Sequence, residues 1–227
     1  KLSEYEKAMS KTNSLLGAFS VYSRPRVLAM VLMGFSAGLP FSLISTTLSA
    51  WLADEHVSLA VIGYFSLVGV AYSLKFFWAP VVDSWSLPLL KRLGKRRSWL
   101  LLSQAGISLG LLAMSHADLH QQLSWIAAIA VWVAFCSATQ DIVIDAYRIE
   151  AAVVKYQGAM AAAYVFGYRL ALLLAGAGAL YLAEYLGWKI AYQCLSLAML
   201  VGIITTLCVA EPEHADDQQV KLLEQQI

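Results

Sequence analysis

The chain has 227 residues, 59% of them apolar and only 14% charged, against the roughly 45–50% apolar and about 25% charged balance of a soluble domain. Sixteen Lys and Arg against fifteen Asp and Glu leave a net charge of +1, so no basic excess supports nucleic-acid binding. Composition excludes an ordinary soluble domain and makes the lipid bilayer the first partner.

Residues 1–26 are mixed polar sequence without the basic start and short apolar core of a signal peptide, and read as a cytoplasmic N-terminal tail. Crossing about 30 Å of hydrocarbon as a helix takes about 20 apolar residues. Six runs meet that requirement: 27–53, 60–82, 98–116, 123–146, 159–183 and 189–210. Residues 27–210 are therefore expected to form an all-α bundle of six transmembrane helices, with 211–227 as a cytoplasmic C-terminal tail or linker.

Span 1 carries Gly34 and Gly38, four apart as close helix approach requires, and Pro40, which removes a backbone hydrogen bond. Ser42, Ser45, Thr46 and Thr47 follow, so this span reads as a bent, cavity-lining helix. The alternative is tight packing, with each hydroxyl bonded back to its own helix. Span 2 contains Lys75, and a basic loop with Lys91, Arg92, Lys95, Arg96 and Arg97 follows it. Spans 3 and 6 hold no ionisable residue over 99–115 and 190–210 and can face lipid. Span 4 contains Ala138, Gln140, Asp141 and Asp145, and span 5 contains Arg169 ahead of the small residues Ala175, Gly176, Gly178 and Ala179.

Lys and Arg near the span ends set the orientation. The N-terminal tail, the second and fourth loops and the C-terminal tail hold thirteen of the sixteen, the fourth loop through Arg148 and Lys155; the opposite side has Lys189. Both termini are expected in the cytoplasm. Trp78, Trp85, Trp99, Trp125 and Trp188 sit near span ends as interfacial anchors.

An ionisable group inside a span costs about 2.5 kcal/mol or more, so it normally faces protein or water and marks a pathway. Lys75 lies roughly 10 Å, Asp141 roughly 6–9 Å and Arg169 roughly 15 Å above the cytoplasmic span ends at about 1.5 Å per residue. Asp141 and Asp145 share one helix face, with Gln140 about 100° round from Asp141. A transmembrane acid flanked by two cations suits a proton-coupled carrier, because protonation changes the charge that must reorient. A static Lys75–Asp141 pair is the other reading. Arg169 can hold a substrate carboxylate by two parallel hydrogen bonds, or pair with Asp141 instead. Asp145 and Arg148, three apart, make a local interfacial pair.

Catalytic signals are absent. His56, His116, His120 and His214 fall in loops or the tail, and His116 with His120 is too weak a pair to define a metal site. No nucleophile elbow, phosphate loop or metalloprotease signature occurs. Cys136, Cys194 and Cys208 lie in apolar runs and read as buried hydrophobes. The chain is expected to be neither an enzyme nor a cofactor protein, with the proton gradient as its coupling ion.

With six spans and a basic second loop, the chain resembles one half of a major facilitator transporter, whose six-helix halves are 3+3 inverted repeats. Asp83, with Gly94, Lys95, Arg96 and Arg97, is similar to that superfamily's acidic-then-basic loop, which implies a gating loop of Asp83, Arg96 and Arg97. MGFSAGLP at 33–40, FSLVGVAYSLKFFWAPVVD at 65–83, FCSATQDIVIDAYR at 135–148, GYRLALLLAGAGAL at 167–180 and LGWKIAY at 186–192 resemble the AmpG-type muropeptide permeases of the bacterial inner membrane. That resemblance implies proton-driven import of anhydro-muropeptides (GlcNAc-1,6-anhydro-MurNAc with or without peptide) for cell-wall recycling and β-lactamase induction. On that reading Arg169, Gln140, Ser45 and Gly38 contact substrate, Asp141, Lys75 and Asp145 couple protons, and Gly34, Pro40 and Ala138 shape the helices. It also implies a second six-helix half. A carrier for another bulky anion such as acyl-CoA, or a membrane half-protein that binds without translocating, are the alternatives.

Overall fold

The computed structural model describes residues 24–87, 93–119, 121–151 and 154–211. Lys1, Lys7, Lys11, Lys91, Arg92, His120, His214, Lys221 and nearly all of both tails lie outside the described residues, so the expectations placed on them stay at the level of sequence.

The elements in chain order are α1 (Pro25–Ile44), α2 (Thr46–Asp54), α3 (Leu59–Phe65), α4 (Val68–Ser73), a 3₁₀ turn (Leu74–Phe77), α5 (Ala79–Ser84), α6 (Lys95–His116), α7 (Leu123–Ala151), α8 (Val154–Leu173), a π-helical turn (Leu174–Gly178), α9 (Ala179–Leu186), α10 (Trp188–Ala198) and α11 (Leu200–Cys208). No strand occurs among the described residues. Among the described residues six stretches are long and apolar enough to cross a membrane: Pro25–Asp54, Leu59–Phe77, Lys95–His116, Leu123–Ala151, Tyr156–Leu186 and Trp188–Cys208. They overlie the six runs read from sequence.

Local chemistry sets the ends. Pro25 occupies the first turn of α1 after an extended Arg24, where its missing N–H costs nothing. Gly187, at φ 84°, turns the chain between spans 5 and 6. Pro40 sits inside α1 without ending it; the irregularity comes five residues later at Ser45, with φ −112° and ψ −93°. Ser45 Oγ donates to the Phe41 carbonyl at 2.5 Å.

Glycines bring the helices together. Span 1 packs most extensively on span 5. A Cβ added at Gly34 would come within 2.1 Å of the Tyr164 carbonyl oxygen, and one at Gly167 within 1.9 Å of the Val31 oxygen. Without an internal hydrophobic drive in lipid, such backbone approach is what associates helices. Gly106 and Gly110 of span 3 instead make room for the Cys136 and Val133 side chains of span 4. The further pairings join spans 2 and 4, 3 and 6, 1 and 6, and 1 and 4. Setting aside the contact between the consecutive spans 5 and 6, exchanging span 1 with 4, 2 with 5 and 3 with 6 maps the pairings onto themselves, the pattern of a 3+3 repeat.

Two apolar clusters form the core. The larger includes Leu39, Leu48, Trp51, Leu111, Ile126 and Tyr192. The smaller, near the charged end of the bundle, includes Met30, Met33, Leu100, Ile144 and Tyr147. Cys136 is buried as expected, but Cys194 and Cys208 are exposed. Their apolar surroundings in sequence are the outer faces of spans, where apolar means lipid-facing rather than interior.

Spans 1 and 4 are the interior helices, with 72% and 67% of their central windows buried, against 50% for span 3 and 44% for span 6. Spans 2 and 5, which carry Lys75 and Arg169, are buried only to 12% and 22%. The charge-free spans 3 and 6 were read as able to face lipid and the others as not free to do so; within this chain spans 2 and 5 are more open, since charge content constrains what must cover a helix and not which chain covers it.

Candidate functional site

The polar residues of span 4 form a stripe along α7, with Ser137, Asp141 and Asp145 each one turn apart. Aromatic side chains from three other spans close on it. The hydroxyls of Tyr72 and Ser137 share a hydrogen bond, and Tyr164 Oη donates to Asp141 Oδ1 at 3.4 Å. Phe41 meets Tyr72 edge-on at 5.6 Å and Tyr168 at 6.4 Å between ring centres. The Trp78 indole donates to Thr139 Oγ1 at 3.1 Å. Asp141 is half-buried beneath this wall.

Lys75 lies in the 3₁₀ turn of span 2, half-buried, and acts on Asp141 electrostatically. It makes no direct ion pair: among the described residues the salt bridges join Arg96 to Asp83 and Glu150, and Arg148 to Asp145. The static Lys75–Asp141 pair is therefore not formed, and neither is an Asp141–Arg169 pair. Arg169 is exposed on α8, on a face shared with Phe166, Leu170 and Leu173. Asp145 and Arg148 do form their local pair, at 3.3 Å.

Two residues expected to contact substrate lie within the helix packing. Gln140 is fully buried and its amide donates to Ser36 Oγ at 3.1 Å, so it joins spans 1 and 4 inside the packing. The 100° turn from Asp141 carries it from the polar stripe to the core side. Gly38 is likewise a packing residue, since a Cβ there would reach 2.6 Å from the Tyr168 carbonyl oxygen. Gly34, Pro40 and Ala138 are buried with it among the helix contacts.

Ser45 does line one. A cavity of about 430 Å³ between spans 1 and 2 is bounded by Phe41, Ser45, Thr46, Ser49, Ser66 and Tyr72 among others. It shares Phe41 and Tyr72 with the wall over Asp141. Rings and hydroxyls in one groove, with an acid beside it, suit a bulky polar ligand with apolar faces.

At the charged end, the loop residues form a network. Arg96, whose side chain is 7% exposed, bonds Asp83 Oδ1 at 2.7 Å and Glu150 Oε1 at 2.5 Å. Lys95 Nζ donates to the Asp83 carbonyl. Glu211 accepts from the backbone N–H groups of Arg96 at 2.6 Å and Arg97 at 3.1 Å, a carboxylate on the N-terminus of α6. Arg97 caps the end of α11 through the Thr206 and Leu207 carbonyls, at 3.0 and 2.7 Å.

Sequence reading missed Phe41, Tyr72, Tyr164, Tyr168, Glu150 and Glu211. The tyrosines on α8 are four apart and thus on one face, a signal that was available. Glu150 was placed in a loop because span 4 was ended at 146, whereas α7 runs on to Ala151.

The chain matches the family described as acetyl-coenzyme A transporter 1 over residues 26–128. It is 42% identical over 193 residues to the anhydromuropeptide permease of Escherichia coli strain K12, covering 85% of this chain and 39% of that protein. To the putative transporter AmpG 4 of Rickettsia conorii it is 36% identical over 195 residues, covering 85% of this chain and 47% of that one. The chain thus spans about two fifths to one half of the length of these relatives. Fold and comparisons together describe a multi-pass helical membrane protein that is similar to named permeases and transporters over part of their length. The similarity is to proteins named anhydromuropeptide permease and AmpG, in keeping with the resemblance of the motifs between Met33 and Tyr192.

Proposed function

We propose that this chain is one half of a proton-coupled secondary transporter that imports anhydro-muropeptides across the bacterial inner membrane for cell-wall recycling. Its similarity to the anhydromuropeptide permease over 85% of the chain carries the reading of substrate. The groove of Phe41, Tyr72 and Ser45 supports it, because rings and hydroxyls complement the C–H faces and O–H edges of a disaccharide. Asp141 is the proton carrier. Tyr164 holds its carboxylate, and Lys75 supplies a nearby positive charge without quenching it in a contact pair. Ser45 borders the substrate, Arg169 meets its carboxylate, and the network of Asp83, Arg96 and Arg97 closes the cytoplasmic end. Both termini face the cytoplasm on the distribution of Lys and Arg.

A second six-helix unit is the partner in this reading. Phe76, Phe77, Leu173 and Leu174 leave an apolar surface along spans 2 and 5 for it, and alternating access rocks one half against the other. The match to the acetyl-coenzyme A transporter 1 family favours a second reading, a carrier for acyl-CoA anions.

Uptake of labelled anhydro-muropeptide into vesicles, with this chain co-expressed with a second half, tests both. Uptake driven by external acid and competed by unlabelled muropeptide is the expected result. Competition by acetyl-CoA alone would establish the second reading, and binding without uptake would reduce the chain to a ligand-binding half-protein.

A further inference from the structure

A different cavity, about 470 Å³, opens at the charged end of the bundle where α1 and α8 begin. Arg24 and Arg26 border it, with Tyr156, and its apolar walls include Val27, Ala151 and Met160. The Arg24 guanidinium lies 4.2 Å from the centre of the Tyr156 ring, and among the described residues it has no carboxylate partner. Arg26 Nη1 donates to the Ala151 carbonyl at 2.9 Å, which engages one of its five N–H groups. The first turn of α1 adds the positive end of its dipole.

We infer that this cavity binds the phosphate headgroup of an anionic phospholipid. Two guanidinium groups, neither paired with an acid among the described residues, face a pocket at the level where span 1 enters the membrane. A phosphodiester keeps its negative charge at all physiological pH values and accepts the paired N–H groups of arginine. The walls of Val27 and Met160, both buried, are suited to the glycerol and first acyl carbons, for which a soluble phosphate has no use. Basic pockets between helices at the membrane surface recognise lipid headgroups in this way. The site is separate from Asp141 and does not depend on which substrate is carried.

Native mass spectrometry of the detergent-solubilised full chain tests this, with phosphatidylglycerol, phosphatidylcholine and soluble glycerol 3-phosphate as probes. The wild type should retain phosphatidylglycerol in preference to phosphatidylcholine. R24Q should weaken that preference ~5-fold and R24Q/R26Q roughly 20- to 30-fold, the effect of about one charge each at a membrane surface. An unchanged preference in R24Q/R26Q, or no retained phosphatidylglycerol in the wild type, would overturn the proposal. So would displacement of the lipid by equimolar glycerol 3-phosphate, which would make this a soluble-anion site. Because Arg26 also bonds the backbone of α7, R24Q, whose side chain is exposed, decides the question if the double variant is unstable.

Discussion

Gly167 shows how much a single missing methyl group does in this bundle. Its Cα faces the Val31 carbonyl so closely that an added Cβ would lie 1.9 Å from the oxygen. The obstructing atom is backbone, so no rotamer change relieves it and α1 must move away from α8. Overpacking of this kind costs about 1–3 kcal/mol. G167V should therefore lower the midpoint of thermal unfolding in detergent by several degrees, whereas the same substitution at Gly63, where nothing lies within 4 Å, should leave it nearly unchanged. The spacing of Gly34 and Gly38 announced a close crossing. Its partner, span 5, did not show in the sequence, because small residues identify a surface that can be approached and not the helix that approaches it.

At the scale of elements, the charged end is held by contacts between pieces far apart in the chain. Arg96 ties the end of span 2, through Asp83, to the end of span 4, through Glu150, while Glu211 returns after span 6 to the start of α6. R96Q leaves Glu150, only 19% exposed, without its cation. Removing one member of a buried pair costs about 3–5 kcal/mol, and the half-exposed Asp83 brings this toward about 2–3 kcal/mol. Limited proteolysis should then cut the loop between α5 and α6 faster than in the wild type, and E150Q, which removes the other side of the same pair, should act in the same direction. Asp83, Arg96 and Arg97 were legible as a charged motif. Glu150 and Glu211 were not, because each comes from a segment whose end was drawn too short or whose fold-back only packing determines.

For the molecule as a whole, the proposed transport turns on Asp141. If it carries the proton, uptake rises as the outside is acidified, since protonation there removes the negative charge before the site reorients. D141N fixes the neutral state. Accumulation driven by a proton gradient should fall at least ~100-fold, within the 10²–10⁴ range typical of a lost proton-transfer group, while binding of muropeptide at equilibrium changes little. Retained acid-driven accumulation in D141N would remove Asp141 from the coupling mechanism. The same measurement on L173A, on the open face of span 5, should instead weaken assembly with a second half and leave the pH dependence of the remaining uptake intact.

The sequence by itself determined the number of spans, their bounds within a few residues and the intramembrane position of Lys75, Asp141 and Arg169, because hydrocarbon thickness and the cost of charge in lipid act on each helix separately. The motifs also determined the relatives. Only the tertiary structure decided that Gln140 and Gly38 face the core, that Arg169 faces outward, that Phe41, Tyr72, Tyr164 and Tyr168 gather over Asp141, and that spans 2 and 5 stay open. Those outcomes depend on how each helix is rotated against its neighbours. In a bilayer, where every face of a span is apolar, hydrophobic periodicity gives little information about rotation, and close backbone packing at glycines sets it instead.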